Sequence, residues 1–122
     1  MRARGNLDEA EAMFRKALEI FENLGGSQGV AHAYANLGNA MCARGDLVEA
    51  EELLHKALDI FEDLGGSEGI AYACANLGLV MRTRGDLAGA REMWLKARDL
   101  FEQGGSEPRV KKVQGWIDQL SS

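Results

Sequence analysis

The side chains in this 122-residue sequence that could catalyse or hold a metal are few, and their spacing turns them away from both tasks. His32 and His55 have no cysteine or carboxylate beside them at metal-ligand spacing. Cys42 and Cys74 stand 32 apart in a chain whose repeat is 40, so they form neither a paired framework nor a CxxC site. They read as reduced residues in or near the core. Glu51 and Glu52 fall on one solvated helix face rather than forming an isolated carboxylate pair. There is no nucleophile beside a base and no glycine-rich phosphate loop after a strand. The expectation is a protein with no catalysis, no cofactor and no metal. What does recur is an amide: Asn36 returns as Asn76. A carboxamide offers both a donor and an acceptor, so it can match the backbone of an extended peptide without reading its sequence. It can equally bond one helix to the next.

The elements that must position these side chains come from a period of 40 residues. Met41 to Ala50 (MCARGDLVEA) returns as Met81 to Ala90 (MRTRGDLAGA), and Met1 to Ala10 (MRARGNLDEA) is the same segment one period earlier. Such a period marks a solenoid, in which each unit buries its apolar face only against its neighbours. Leu47, Ala50, Leu54, Ala57, Leu58, Phe61 and Leu64 follow helical spacing. Val30, Tyr34, Leu37 and Met41 do so before them, making each unit a helical hairpin. Six helices are expected, near 7–24, 28–43, 47–64, 68–83, 87–102 and 107–120. Gly45 supplies a helix stop and Asp46 with Glu49 a capping box. Asn6 with Glu9 repeats the device, whereas Gly89 removes the box after Asp86. Gly25-Gly26-Ser27, Gly65-Gly66-Ser67 and Gly104-Gly105-Ser106 each pair a stop with a serine cap. The spelling Arg44-Gly45-Asp46, repeated at 84–86, is thereby explained by turn chemistry and not by cell adhesion.

A net charge of -5 argues against nonspecific binding to nucleic acid or anionic lipid. No apolar run reaches the ~18 residues of a membrane span, and the start lacks a signal-peptide pattern, so a cytoplasmic setting is expected.

Tyr34, Leu37, Gly38, Ala50, Leu54 and Ala57, then Cys74, Leu77, Gly78, Ala90, Trp94 and Ala97, with Ala10, Phe14 and Ala17 before them, resemble the tetratricopeptide repeat in a 40-residue form. The double glycine replaces that family's helix-breaking proline. The resemblance implies an all-α solenoid of antiparallel helices in a right-handed superhelix. Its domain would comprise a half-repeat 1–26, repeats 27–66 and 67–105, and a capping helix 106–122. It implies a noncatalytic protein-interaction module whose first helices line a concave groove. By that resemblance the groove displays His32, Asn36, Asn39 and Ala43, then Tyr72, Asn76, Leu79, Arg82 and Thr83. Asn36 and Asn76 stand where members of the family hold peptide backbone. The carboxylate clamp of the family is not expected, since Ala35 and Ala75 stand where it needs lysine. Charge counting places Arg44, Arg82, Arg84, Arg109, Lys111 and Lys112 on the groove side against Glu68, Glu107 and Asp118, over acidic second helices. That pattern favours an acidic or carboxylate-bearing peptide.

Met1 occupies the register of Met41 and Met81, so the chain opens with a second helix whose first helix is absent from the sequence. Two readings stay open. One is a piece of a longer array. The other is self-assembly as a dimer or head-to-tail oligomer, using Leu7, Phe14, Leu18 and Phe21 with Val113, Trp116, Ile117 and Leu120.

Overall fold

The computed structural model describes residues 2–120, with side chains from residue 6 onward. Six helices follow one another: α1 (Arg2–Leu24), α2 (Ser27–Arg44), α3 (Leu47–Leu64), α4 (Ser67–Arg84), α5 (Leu87–Gln103) and α6 (Glu107–Leu120). Each packs mainly on its sequence neighbours as antiparallel hairpins, and α2 also touches α4, so the first helices form a layer of their own. Every turn pivots on one glycine of positive φ, from 73° at Gly25 to 91° at Gly85. A side chain at such an angle meets the steric penalty of the left-handed region. The turn then closes with a backbone bond five residues back: Asp46 N donates to Met41 O at 2.9 Å and Ser106 N to Phe101 O at 2.9 Å.

Several local expectations are corrected. α1 runs through Gly5 and Asn6 from Arg2 instead of starting near 7, so no turn forms there. Gly26 and Gly66, not Ser27 and Ser67, are the N-cap residues, and the serines are already helical. The left-handed residue of the last turn is Gly105, while Gly104 stays right-handed at φ -82°. This keeps the 40-residue spacing that the letters GGS disguise. Asp46 makes no side-chain cap bond and leans toward Arg44 at 3.8 Å. Asp86 has no box, as expected, but its carboxylate still caps Gly89 N at 2.9 Å. The missing Cβ of Gly89 is the reason, because that atom would run into the Asp86 carboxylate.

Ala31, Ala35, Leu37, Ala50, Leu54 and Ala57 of the first hairpin, and Ala71, Leu77, Ala90, Trp94 and Ala97 of the second, are fully buried. Close approach is what Gly38 and Gly78 provide. A Cβ on Gly38 would sit 2.8 Å from Leu54 Cγ, and one on Gly78 would enter the Trp94 indole. That indole donates Nε1–H to Ala75 O at 3.0 Å, so no buried indole donor is stranded.

An ionic edge stitches successive units. Arg44, at the end of α2, reaches back to Asp8 and to Glu11 of α1, the latter at 2.8 Å, and Arg84 reaches Glu51 of α3 in the same way. Arg15 joins Glu11 at 2.8 Å and Glu49 at 2.9 Å, and those two bonds raise its guanidinium pKa above the ordinary value. Glu51 is therefore part of the stitching and not a freely solvated acid.

Candidate functional site

The layer of first helices carries the residues expected to line a groove. His32 and Arg82 are exposed, and Asn36, Asn39, Tyr72, Asn76 and Leu79 are half-buried. The Tyr72 hydroxyl draws three of them together. It donates to Asn36 Oδ1 at 3.4 Å and accepts from Asn39 Nδ2 at 3.4 Å. One amide group of each asparagine thus bonds α2 to α4, and the Asn36 amino group and Asn39 carbonyl are left outside that bridge.

One period on, the same register is filled differently. Lys112 of α6 stands where Tyr72 stands in α4, and Trp116 where Asn76 stands. An ammonium only donates, so it cannot close the bridge that a hydroxyl closes. Asn76 Nδ2 is buried with no hydrogen-bond partner among the described residues. Such a donor costs about 1–3 kcal/mol until an acceptor reaches it. Arg82 lies 5.6 Å from the Trp94 ring, Lys112 lies 5.5 Å from the Trp116 ring, and the two indoles are 5.4 Å apart.

At the other end of the same layer an open cleft of about 750 Å³ lies between the starts of α2, α4 and α6. Its wall is aromatic: His32 meets the Phe61 ring edge-on at 5.0 Å and lies 6.1 Å from Tyr72. Arg109 pairs with Glu68 at 2.9 Å across its mouth and stacks 5.6 Å from Phe101. Beyond that pair lies a second cleft of about 510 Å³, lined by Leu100, Phe101 and Pro108. Sequence reasoning named His32 and Tyr72 and counted Glu68 and Arg109 as charges of the groove side, but missed Phe61. The signal was Gly69, whose absent side chain makes room for Phe61.

The charge count changes once partners are known. Arg44, Arg84 and Arg109 are all ion-paired, which leaves Arg82, Lys111 and Lys112 as the cations of this face without an ion pair among the described residues. Arg82 and Lys112 lie over the rings of Trp94 and Trp116. Thr83 bonds its own helix at Leu79 O, 2.9 Å away, and Ala43 is exposed.

The residues expected to self-associate divide sharply. Val113 and Ile117 are buried at 2% and 4% exposure, and Trp116 and Leu120 pack half-buried beside them, so the α6 stripe belongs to the fold's own core. On α1, Leu7, Phe14 and Leu18 are half-buried, and Phe14 packs against the core. The exposed apolar side chains there are Met13, Ile20, Phe21 and Leu24. Met13 thereby departs from Leu53, its buried equivalent one period on.

Both cysteines are free, and burial pushes each thiol pKa up. Among the described residues no cluster of three His, Cys, Asp or Glu side chains could hold a metal ion, and no helix is long and apolar enough to cross a membrane.

Hairpins stacked in sequence around small-residue contacts, with a polar and aromatic face on the first helices, define a helical-repeat domain. The family model of the tetratricopeptide repeat matches residues 1–63 and again 29–103, and the chain belongs to that family. Domains of this family generally bind proteins. Among solved structures the chain is similar to BtubC (BKLC) from P. vanneervenii, with a TM-score of 0.86 at 22% identity. That match covers 98% of this chain and 49% of the other, so this chain spans about half its length, and the likeness is one of fold. No curated protein sequence matches.

Proposed function

We propose that this chain, a 40-residue form of the tetratricopeptide repeat, is a noncatalytic module that holds an extended acidic peptide along α2, α4 and α6. The observation that carries this reading is the buried Asn76 Nδ2, which has no hydrogen-bond partner among the described residues. A backbone carbonyl or a carboxylate of the ligand would be the missing acceptor. Arg82 and Lys112 favour a negative segment, and their attraction would fall with added salt. At the opposite end the cleft of His32, Phe61 and Tyr72 suits one apolar anchor side chain. Micromolar affinity is expected of so short an array.

The test uses fluorescein-labelled random dodecapeptides sorted into acidic, neutral and basic pools, read by anisotropy at low and moderate salt. The acidic pool should bind best and lose affinity with salt. Asn36→Ala with Asn76→Ala should weaken binding about tenfold or more while the far-ultraviolet dichroism stays unchanged. Equal binding of all pools, or an unchanged affinity in the double variant, would refute the assignment.

A further inference from the structure

The two clefts are one site met twice. Gln28, Phe61 and Gly69 in the lining of the first return, forty residues on, as Glu68, Phe101 and Arg109 in the lining of the second. The repeat keeps the ring and changes the residues beside it. At the first step it offers a neutral amide and no side chain, and the Phe61 ring lies where a Cβ on Gly69 would sit. At the second it offers an acid and a cation, and these two have closed on each other, with Arg109 Nη1 donating to Glu68 Oε1 at 2.9 Å. Glu68 and Arg109 line both clefts, so their bond stands at the boundary between them.

This pair is built unlike the ion pairs that stitch the units. Arg44 and Arg84 reach Glu11 and Glu51 on second helices, and those acids are only 22% and 21% exposed. Arg109 and Glu68 both stand on first helices, and the Glu68 side chain is 80% exposed, with no further hydrogen bond or ion pair among the described residues. Its partner is held from two sides, since Arg109 also lies 5.6 Å from the Phe101 ring. Losing Glu68 therefore leaves the cation in place. The bond uses one guanidinium nitrogen, and Nε and Nη2 have no hydrogen bond among the described residues. A carboxylate placed across that fork accepts from two nitrogens where Glu68 accepts from one. An ion pair this open to water is weak, and such a carboxylate displaces it.

We infer that Arg109 is a carboxylate-binding residue of the groove and that Glu68 is its built-in competitor. This rests on the acidic-peptide reading above. An aspartate or glutamate side chain of the ligand takes the guanidinium, Glu68 turns into solvent, and the two clefts become one continuous groove along the starts of α4 and α6. A neutral segment has no use for the cation, so Glu68 opposes acidic ligands alone.

Anisotropy of labelled dodecapeptides with amidated ends tests this, because side chains are then the only carboxylates of the peptide. Glu68→Gln should tighten the acidic pool about five- to tenfold and leave the neutral pool within about twofold, at unchanged helix content. In the Arg109→Gln background the same change should gain less than about twofold. Equal gains in both backgrounds would show Glu68 acting only as a distant charge, and an equal gain by the neutral pool would show it acting as an obstacle; either overturns the inference. So does an acidic pool that binds the unaltered chain and is indifferent to Glu68→Gln, an outcome that leaves the peptide reading standing. If the acidic pool binds neither the unaltered chain nor the Glu68→Gln variant, that reading falls and the inference with it. A neutral pool with free carboxyl ends that gains as the acidic pool does would give Arg109 to a chain terminus and overturn the side-chain assignment.

Discussion

The hairpin α2–α3 and the hairpin α4–α5 use one plan for two jobs. Both bring their helices together over a glycine, but Gly38 admits the aliphatic Leu54, and Gly78 admits the indole of Trp94. Leu54 is a neutral filler between units of the same kind. Trp94 is wider, is tied to Ala75 O, and meets Trp116 of the last helix, so the second hairpin is shaped to receive a helix unlike those before it. The polar face changes at the same step. Asn36 Oδ1 is bridged through Tyr72, whereas Asn76 has Lys112 at the equivalent register and a buried Nδ2 with no hydrogen-bond partner among the described residues. A repeat protein can thus keep its backbone constant and place its recognition chemistry where the register fails to repeat.

The comparison breaks first at the glycines. Gly78→Ala should cost about 3 kcal/mol in urea unfolding, because a new Cβ would overlap a tethered indole. Adding Trp94→Leu should recover part of that loss, by making the second hairpin resemble the first. Gly38→Ala should cost only about 1 kcal/mol, since Leu54 can rotate and the helix gains from losing a glycine. Equal costs would mean that the two contacts are alike in rigidity. The caps give the next contrast: Asp86→Ala should lose about 1 kcal/mol, and Asp46→Ala, which forms no cap bond, about 0.3 kcal/mol or less. Tyr72→Phe should cost about 0.5 kcal/mol through its two long hydrogen bonds, and should have no counterpart at residue 112.

The thiols provide a smaller pH-dependent check. A thiol whose folded pKa is raised adds stability that is fully present below its unfolded pKa and lost as pH rises through the folded value. Stability should therefore decline slightly above the ordinary thiol range, and a Cys42→Ala, Cys74→Ala variant should show a flatter profile there. Iodoacetamide should modify the unfolded chain far faster than the native one, with Cys74 the slower native site because it is fully buried.

Much of the fold was legible because helix stops and small-residue contacts are written in single letters at a fixed period. Gly38, Ala50 and Ala57, and their copies forty residues on, announce which helices touch and where. The misreadings came where a letter has two uses. Ser27 resembles a cap but lies inside a helix, because the preceding glycine takes the extended backbone itself. Gly89 gives up the returning half of the box, as its letter says, yet leaves room for the Asp86 carboxylate to cap its N–H. Side-chain partners were least legible: Arg44 and Arg84 count as groove cations in the sequence, yet they reach back to acids on the preceding unit, a choice set by three-dimensional proximity. The cleft was half visible for the same reason. His32 and Tyr72 share a helix face with the asparagines, whereas Phe61 arrives from a second helix through the gap at Gly69.

Placing both tryptophans at one end also decides what light can report about this molecule. Trp94 and Trp116 are the only indoles in the chain and lie against each other across α5 and α6, so tryptophan emission samples that end and is blind to α1. Helical dichroism sums over all residues. If stability is a chain of neighbour terms, loss of α1 first would lower dichroism while the emission spectrum stood still. The gap between those two unfolding curves would then be a direct optical reading of how far a disturbance at the first helix travels down the stack.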